Sequence, residues 1–194
     1  MLSKLSKSIL SWSKGWVILA LFAVLVGHLV LTMPILQAAP GGDIVALDAQ
    51  FFYRPETAFE TVASYGESAS LWSLLYLSWD ILTPILYTLG FSTLISLVFR
   101  RAFQFTSKLV FLNLLPVGAG LFDLLENFSI VGMLSIYPTQ PVILAWLSTI
   151  CTMAKVSLIG GSILLVLIGL YKIVLYRIQN QGNFSGRSYE TIRI

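Results

Sequence analysis

Charge is what this sequence has least of. Only 11% of its 194 residues are Asp, Glu, Lys or Arg, while 57% are hydrophobic. A soluble domain carries about 25% charged residues. A water-soluble fold of this size has too few charges to cover itself, so the excess apolar surface must face lipid. Cysteine is nearly missing too. Cys151 stands alone inside an apolar run, which excludes an intrachain disulfide and any Cys/His spacing for structural zinc. It reads as a small buried hydrophobe. Histidine is also single, which excludes bis-His haem ligation within the chain. Nucleophile-elbow and P-loop patterns are absent. The pI near 9.1 does not point to nucleic acid, because the basic residues flank apolar runs and line no polar face.

What the sequence does have is long apolar runs. Four are present, at about Trp16–Leu36, Leu71–Phe99, Leu109–Ile136 and Pro141–Tyr171. Each exceeds the roughly 20 residues needed to cross a hydrocarbon core. Lipid cannot satisfy a free backbone hydrogen bond, so such runs must be helical. The expected fold is therefore all-α, an integral membrane four-helix bundle in a single domain spanning residues 16–176. The first run follows three lysines and resembles a signal peptide. It is longer than a signal h-region of about 7–15 residues and is expected to stay as an uncleaved anchor.

Charge orients the bundle. Lys4, Lys7, Lys14, Arg100, Arg101, Lys108, Lys172, Arg177, Arg187 and Arg193 fall on one side, with only Glu190 among them. The other side has Arg54 against Asp43, Asp48, Glu56, Glu60 and Glu67. The positive-inside rule then places both termini in the cytoplasm. Residues 1–15 mix Leu2, Leu5, Ile9, Leu10 and Trp12 with Ser and Lys. They read as a surface-lying amphipathic helix that meets anionic lipid. The polar tail, 177–194, is expected to be mobile in isolation. In the outer loop, Pro55 to Gly66 reads as a short helix. Proline suits its first turn, Glu56 the positive end of its dipole and Gly66 its stop. Phe51, Phe52, Tyr53, Phe59 and Tyr65 read equally as membrane-interface aromatics or as part of a loop capping the bundle.

Polar residues recur inside the spans at helical spacing. His28 and Thr32 form one stripe. Ser73, Tyr76, Asp80, Thr83 and Tyr87 form a second, and Asn113, Pro116, Gly120, Asp123 and Asn127 a third, with Glu126 beside it. Ser148, Thr152, Lys155 and Ser162 form the fourth. Steps of three and four put each set on one helix face, and four such stripes most simply pack inward. A charge at the bilayer centre costs at least about 2.5–3.5 kcal/mol on insertion scales. Asp80, Asp123, Glu126, Asn127, Lys155 and His28 are thus the candidate site. With histidine neutral, three carboxylates and one lysine sum to minus two, so a proton, a cation or water is expected there. The cluster reads equally as a functional site or as polar glue between helices. The di-metal Glu-x-x-His pattern is absent. A single metal held by His28, Asp80, Asp123 and Glu126 fits the spacing, but no metal or other cofactor is assigned.

Two stretches carry a resemblance. Trp79-Asp80-Ile-Leu-Thr-Pro84-Ile-Leu-Tyr87 has the form Asp-x3-Pro-x2-Tyr. Phe122-Asp123-Leu-Leu-Glu126-Asn127 has the form Asp-x2-Glu-Asn. Together with Tyr53-Arg-Pro-Glu and Tyr65-Gly66, the chain over about residues 52–170 resembles a group of small four-span bacterial membrane proteins of uncharacterised function. That resemblance implies a four-helix membrane fold in a bacterial cytoplasmic membrane and no particular activity. Three readings follow. The first is a non-catalytic accessory subunit or small lipid- or partner-binding bundle. The second is a proton- or cation-coupled carrier, with a homo-oligomer supplying the symmetry that the chain lacks. The third is an intramembrane enzyme acting on a lipid or quinone. The partners expected are the bilayer itself and other membrane subunits or further copies of the chain, not nucleic acid.

Overall fold

The computed structural model describes residues 2–38, 46–103 and 109–190. Among these the chain is helical and contains no strand. A short helix α1 (Leu2–Trp12) precedes α2 (Gly15–Ala38). The outer loop holds α3 (Pro55–Ser64) and leads into α4 (Ala69–Leu74). The remaining helices are α5 (Leu82–Ala102), α6 (Leu115–Ile136) and α7 (Val142–Glu190). Four helical stretches are long and apolar enough to cross a membrane. The protein is an all-α membrane four-helix bundle.

The second span is not one continuous helix. After α4 the backbone widens into a π turn over Leu75–Trp79, closed by the Asp80 N–H donating to the Leu75 carbonyl at 2.9 Å. A normal α-helix starts again at Leu82. Pro84 has no N–H to give the Asp80 carbonyl, which accepts instead from the Thr83 N–H at 3.2 Å. Wide turns of this kind mark functional positions in many helices. Here the turn swings Asp80 to the junction of the two halves. The third span likewise opens in a tighter turn, Leu109–Leu114, before Pro116 in the first turn of α6.

The four helices do not share the interior equally. α5, α6 and α7 form the packed centre, and α2 leans on α5. Phe22 of α2 meets Phe91 edge-on at 5.4 Å and lies against Gly90. The His28–Thr32 stripe of α2 also faces inward, but it meets the second span at the flank of the bundle and not the centre. α5 and α6 meet closely at Gly120, where an added Cβ would collide with Thr88 Oγ1. Glycine is needed there for the two backbones to come together.

The outer loop caps the bundle. α3 begins with Pro55 and ends before Gly66, whose φ of +49° is a left-handed value that suits glycine. Tyr53, Phe59 and Tyr65 are buried against Trp72, Tyr76, Ile130 and Met133, while Phe51 and Phe52 remain exposed. Of the two readings for these aromatics, three residues follow the capping one. At the opposite, basic end, α1 also departs from a purely surface-lying helix. Ser6 and Ile9 are buried, and α1 packs on α5 and on the turn before α6. The polar tail continues α7 as helix to Glu190, where mobility was expected of it in isolation.

Candidate functional site

The centre of the polar cluster is built by α6 and α7. Asp123 and Glu126 are one turn apart on α6, and both side chains are buried. Lys155 on α7 reaches both. Its Nζ is 2.7 Å from Glu126 Oε2 and 3.3 Å from Asp123 Oδ1. The remaining carboxylate oxygens have neutral donors. Thr152 Oγ1 donates to Glu126 Oε1 at 2.6 Å, and the Tyr87 hydroxyl donates to Asp123 Oδ2 at 2.9 Å. Each oxygen of the two carboxylates thus has a partner, which buried charge requires. The helical step of three brings Asp123 and Glu126 to one face, and Thr152 and Lys155 meet them by the same spacing.

A second layer lies toward the acidic end. Asn127 Nδ2 donates to Asp80 Oδ2 at 2.8 Å, joining α6 to the break in the second span. Asn127 Oδ1 is fully buried and has no hydrogen-bond partner. Above Asp80 the outer loop contributes Asp48, whose Oδ1 accepts from the Tyr76 hydroxyl at 3.1 Å. Asp48 and Asp80 line a common pocket of about 50 Å³ with Thr32, Tyr76 and Trp79. Burial pushes the Asp48 carboxyl above the ordinary carboxylate range, and the neighbouring Asp80 charge pushes it further. The Tyr53 hydroxyl, 2.5 Å from Ser148 Oγ, is likewise raised, mainly by burial.

His28 stands apart from the carboxylates. Its Nε2 is 3.0 Å from Thr83 Oγ1, and its ring lies against Trp79 at 5.2 Å. The Trp79 indole N–H donates to Thr32 Oγ1, so α2 is tied to the second span at two points. His28 therefore joins α2 to α5. The single-metal arrangement of His28, Asp80, Asp123 and Glu126 does not form. Among the described residues, no three His, Cys, Asp or Glu side chains come together as metal ligands.

The structure thus gathers Asp123, Glu126 and Lys155 directly, sets Asp80 and Asn127 next to them, and leaves His28 at the flank. Sequence reasoning missed Asp48, which it counted only as an outer-side charge. The clue available was the aromatic density around it, from Phe51 to Tyr65, which marks a loop that folds back on the bundle. With Asp48 included, four carboxylates face one lysine. Comparisons with protein families, curated proteins and solved structures return no match.

Proposed function

We propose that this chain is a non-catalytic membrane protein that binds lipid or a membrane partner on its outer surfaces. Its buried cluster fixes the helices in register. The observation that carries this reading is the contrast between a filled interior and open flanks. Glu126 and Asn127 are fully buried, and the pocket beside Asp80 holds about 50 Å³. That volume admits water, whereas ligand sites usually span about 300–1,000 Å³. Grooves on the flanks are of that larger size. One of about 880 Å³ runs between α3 and the start of α7, past Arg54, Glu60 and Trp146. Another of about 430 Å³ lies under α1. The topology that accompanies this reading is the positive-inside one, in a bacterial cytoplasmic membrane, with kinship to the four-span group described above.

The test is mild-detergent purification from native membranes, followed by native mass spectrometry. Retained lipid or a stoichiometric partner subunit supports the reading. A lone, lipid-free bundle that turns over a lipid or quinone sinks it. One observation favours a second reading, proton- or cation-coupled transport: Asp48, Asp80, Asp123 and Glu126 outnumber Lys155 four to one, and the small pocket touches Asp48 and Asp80. Proteoliposomes with an internal pH dye separate the two. Proton flux lost in Glu126→Gln would favour the carrier.

A further inference from the structure

The groove under α1 has a chemistry that the polar cluster does not use. It is lined by Leu5, Ser8, Ile9 and Trp12 of α1, by Val17 and Leu21 of α2, and by Leu89 and Thr93 of α5. On α1 these residues follow steps of three and four, so they form one strip. Neither of the neighbouring helices fills that strip, and Leu5 and Trp12 are exposed. The groove is held open by polar contacts on the adjacent face of α1. Ser6 Oγ donates to Asn113 Oδ1 at 2.8 Å, and Asn113 Nδ2 donates back to the Ser6 carbonyl at 3.1 Å. Arg100 reaches the Ser13 carbonyl at 3.4 Å, at the bend between α1 and α2.

The apolar groove continues into a recess of about 310 Å³ that shares Trp12 and Val17 and is bordered by Ser11, Lys14 and Trp16. Lys14 is exposed at this mouth, and Lys4 lies one turn from Ser8 on the edge of the strip. Among the described residues no carboxylate lines either space. An apolar slot with a purely cationic mouth and two tryptophans beside it matches an amphiphile with a hydrocarbon tail and an anionic head. A second protein helix would bury the apolar strip but leave the lysines unmatched unless it carried acidic residues.

We propose that this groove is a binding site for an anionic phospholipid, with one acyl chain between α1, α2 and α5 and the phosphate at Lys14, while Lys4 adds positive charge farther along α1. The site deepens the lipid-binding reading above and rests on it. Acyl burial supplies the hydrophobic part of the attraction, and the lysines supply the preference for negative headgroups. Fixing α1 to the bundle gives the lipid a wall, which a freely surface-lying helix would not.

The experiment uses the full chain in detergent, titrated with phosphatidylglycerol or phosphatidylcholine of equal chain length and read by native mass spectrometry. The wild type should retain phosphatidylglycerol about tenfold more strongly. Lys14→Gln should shrink that preference to about threefold or less, because phosphatidylglycerol retention falls further than phosphatidylcholine retention. Ser8→Trp, which fills the slot from an exposed position, should lower retention of both lipids. Equal retention of the two lipids by the wild type, or no change in Ser8→Trp, would overturn the site. A photo-crosslinking side chain at position 8 in native membranes should give lipid adducts, and protein adducts in their place would also overturn it. Lipid retained in wild type, Lys14→Gln and Ser8→Trp alike would remove this site but leave general lipid binding standing. Loss of all lipid binding together with measured transport would remove both.

Discussion

The Lys155 ammonium stands 2.7 Å from Glu126 Oε2, in the middle of the bundle, with Asp123 on its other side. One cation therefore serves two carboxylates, and removing the cation is worse than removing either acid. Lys155→Met should destabilise the bundle by about 3–5 kcal/mol, because two buried carboxylates lose their counter-charge. Glu126→Gln leaves Lys155 paired with Asp123 and keeps a hydrogen-bonding group beside Thr152. It should cost less than half as much. Reversible unfolding in mixed micelles checks the ranking, and a Lys155→Met variant as stable as wild type would show that the pair is not ionised.

Gly120 faces Thr88 across the α5–α6 interface, at a separation that leaves no room for a Cβ. Gly120→Ala should destabilise by about 1–3 kcal/mol through overpacking. Thr88→Ala removes the obstructing hydroxyl, which also donates to the Pro116 carbonyl at 3.1 Å. The double variant should recover part of the loss. A double-mutant cycle that is additive within about 0.5 kcal/mol would refute the contact.

Asp48 predicts a pH dependence. Burial and Asp80 raise its pKa in the folded state, so the folded chain holds the Asp48 proton more firmly than the unfolded chain does. The contribution of Asp48 to stability is then greatest below the unfolded carboxylate pKa of about 3.9 and falls as pH rises through the folded value. Asp48→Asn should flatten that part of the stability profile and leave the chain at least as stable as wild type at neutral pH. Unfolding free energies across a pH series, taken as the difference between the two proteins, isolate this group from the other buried acids. An unchanged slope would mean that Asp48 is solvated.

Four spans were legible because lipid permits only one kind of backbone, and long apolar runs report it directly. Pro84, one turn beyond Asp80, marked a bend or freed carbonyls near the polar centre, but the π turn before Asp80 was not legible. Hydropathy runs unbroken from Leu71 past Leu89, and Pro84 alone does not say where a helix yields. The π turn ends at Asp80, whose carboxylate accepts from Asn127 on another helix. The place of α2 was hidden for the opposite reason. It is apolar on nearly every face, so its pattern does not tell a central helix from a flanking one. Asp48 was missed because its place beside Tyr76 and Asp80 is set when the outer loop packs onto the bundle, a tertiary event.

Topology is open to labelling. Cys151 is buried, so background from the native thiol should be small. Cysteines at the exposed positions Ser3 and Glu67 lie at opposite ends of the bundle. In intact cells an impermeant thiol reagent should mark the one at Glu67 and spare the one at Ser3. The reverse pattern would invert the orientation drawn from charge. Ser6 is unsuitable for this test, because it is buried.

The docking of α1 turns on a single amide. Asn113 accepts from Ser6 Oγ, donates to the Ser6 carbonyl and also donates to Ser96 Oγ at 2.8 Å, so it joins α1 to α5 through the turn before α6. Asn113→Ala removes all three bonds, while Ser96 Oγ keeps its bond to the Ser92 carbonyl at 2.8 Å. Each lost hydrogen bond costs about 0.5–1.5 kcal/mol. The cheaper outcome is for α1 to lift away and give its polar groups to water. The variant should therefore show faster amide exchange along Leu2–Trp12, while exchange in α6 and α7 stays near wild type, because the Lys155 cluster lies far along those helices. A thermal midpoint that falls only slightly, together with deprotected α1 amides, fits undocking. Uniform deprotection across the bundle would make Asn113 part of the global core, and unchanged α1 exchange would mean that packing through Ile9 and the Arg100 bond to the Ser13 carbonyl hold the helix without Asn113.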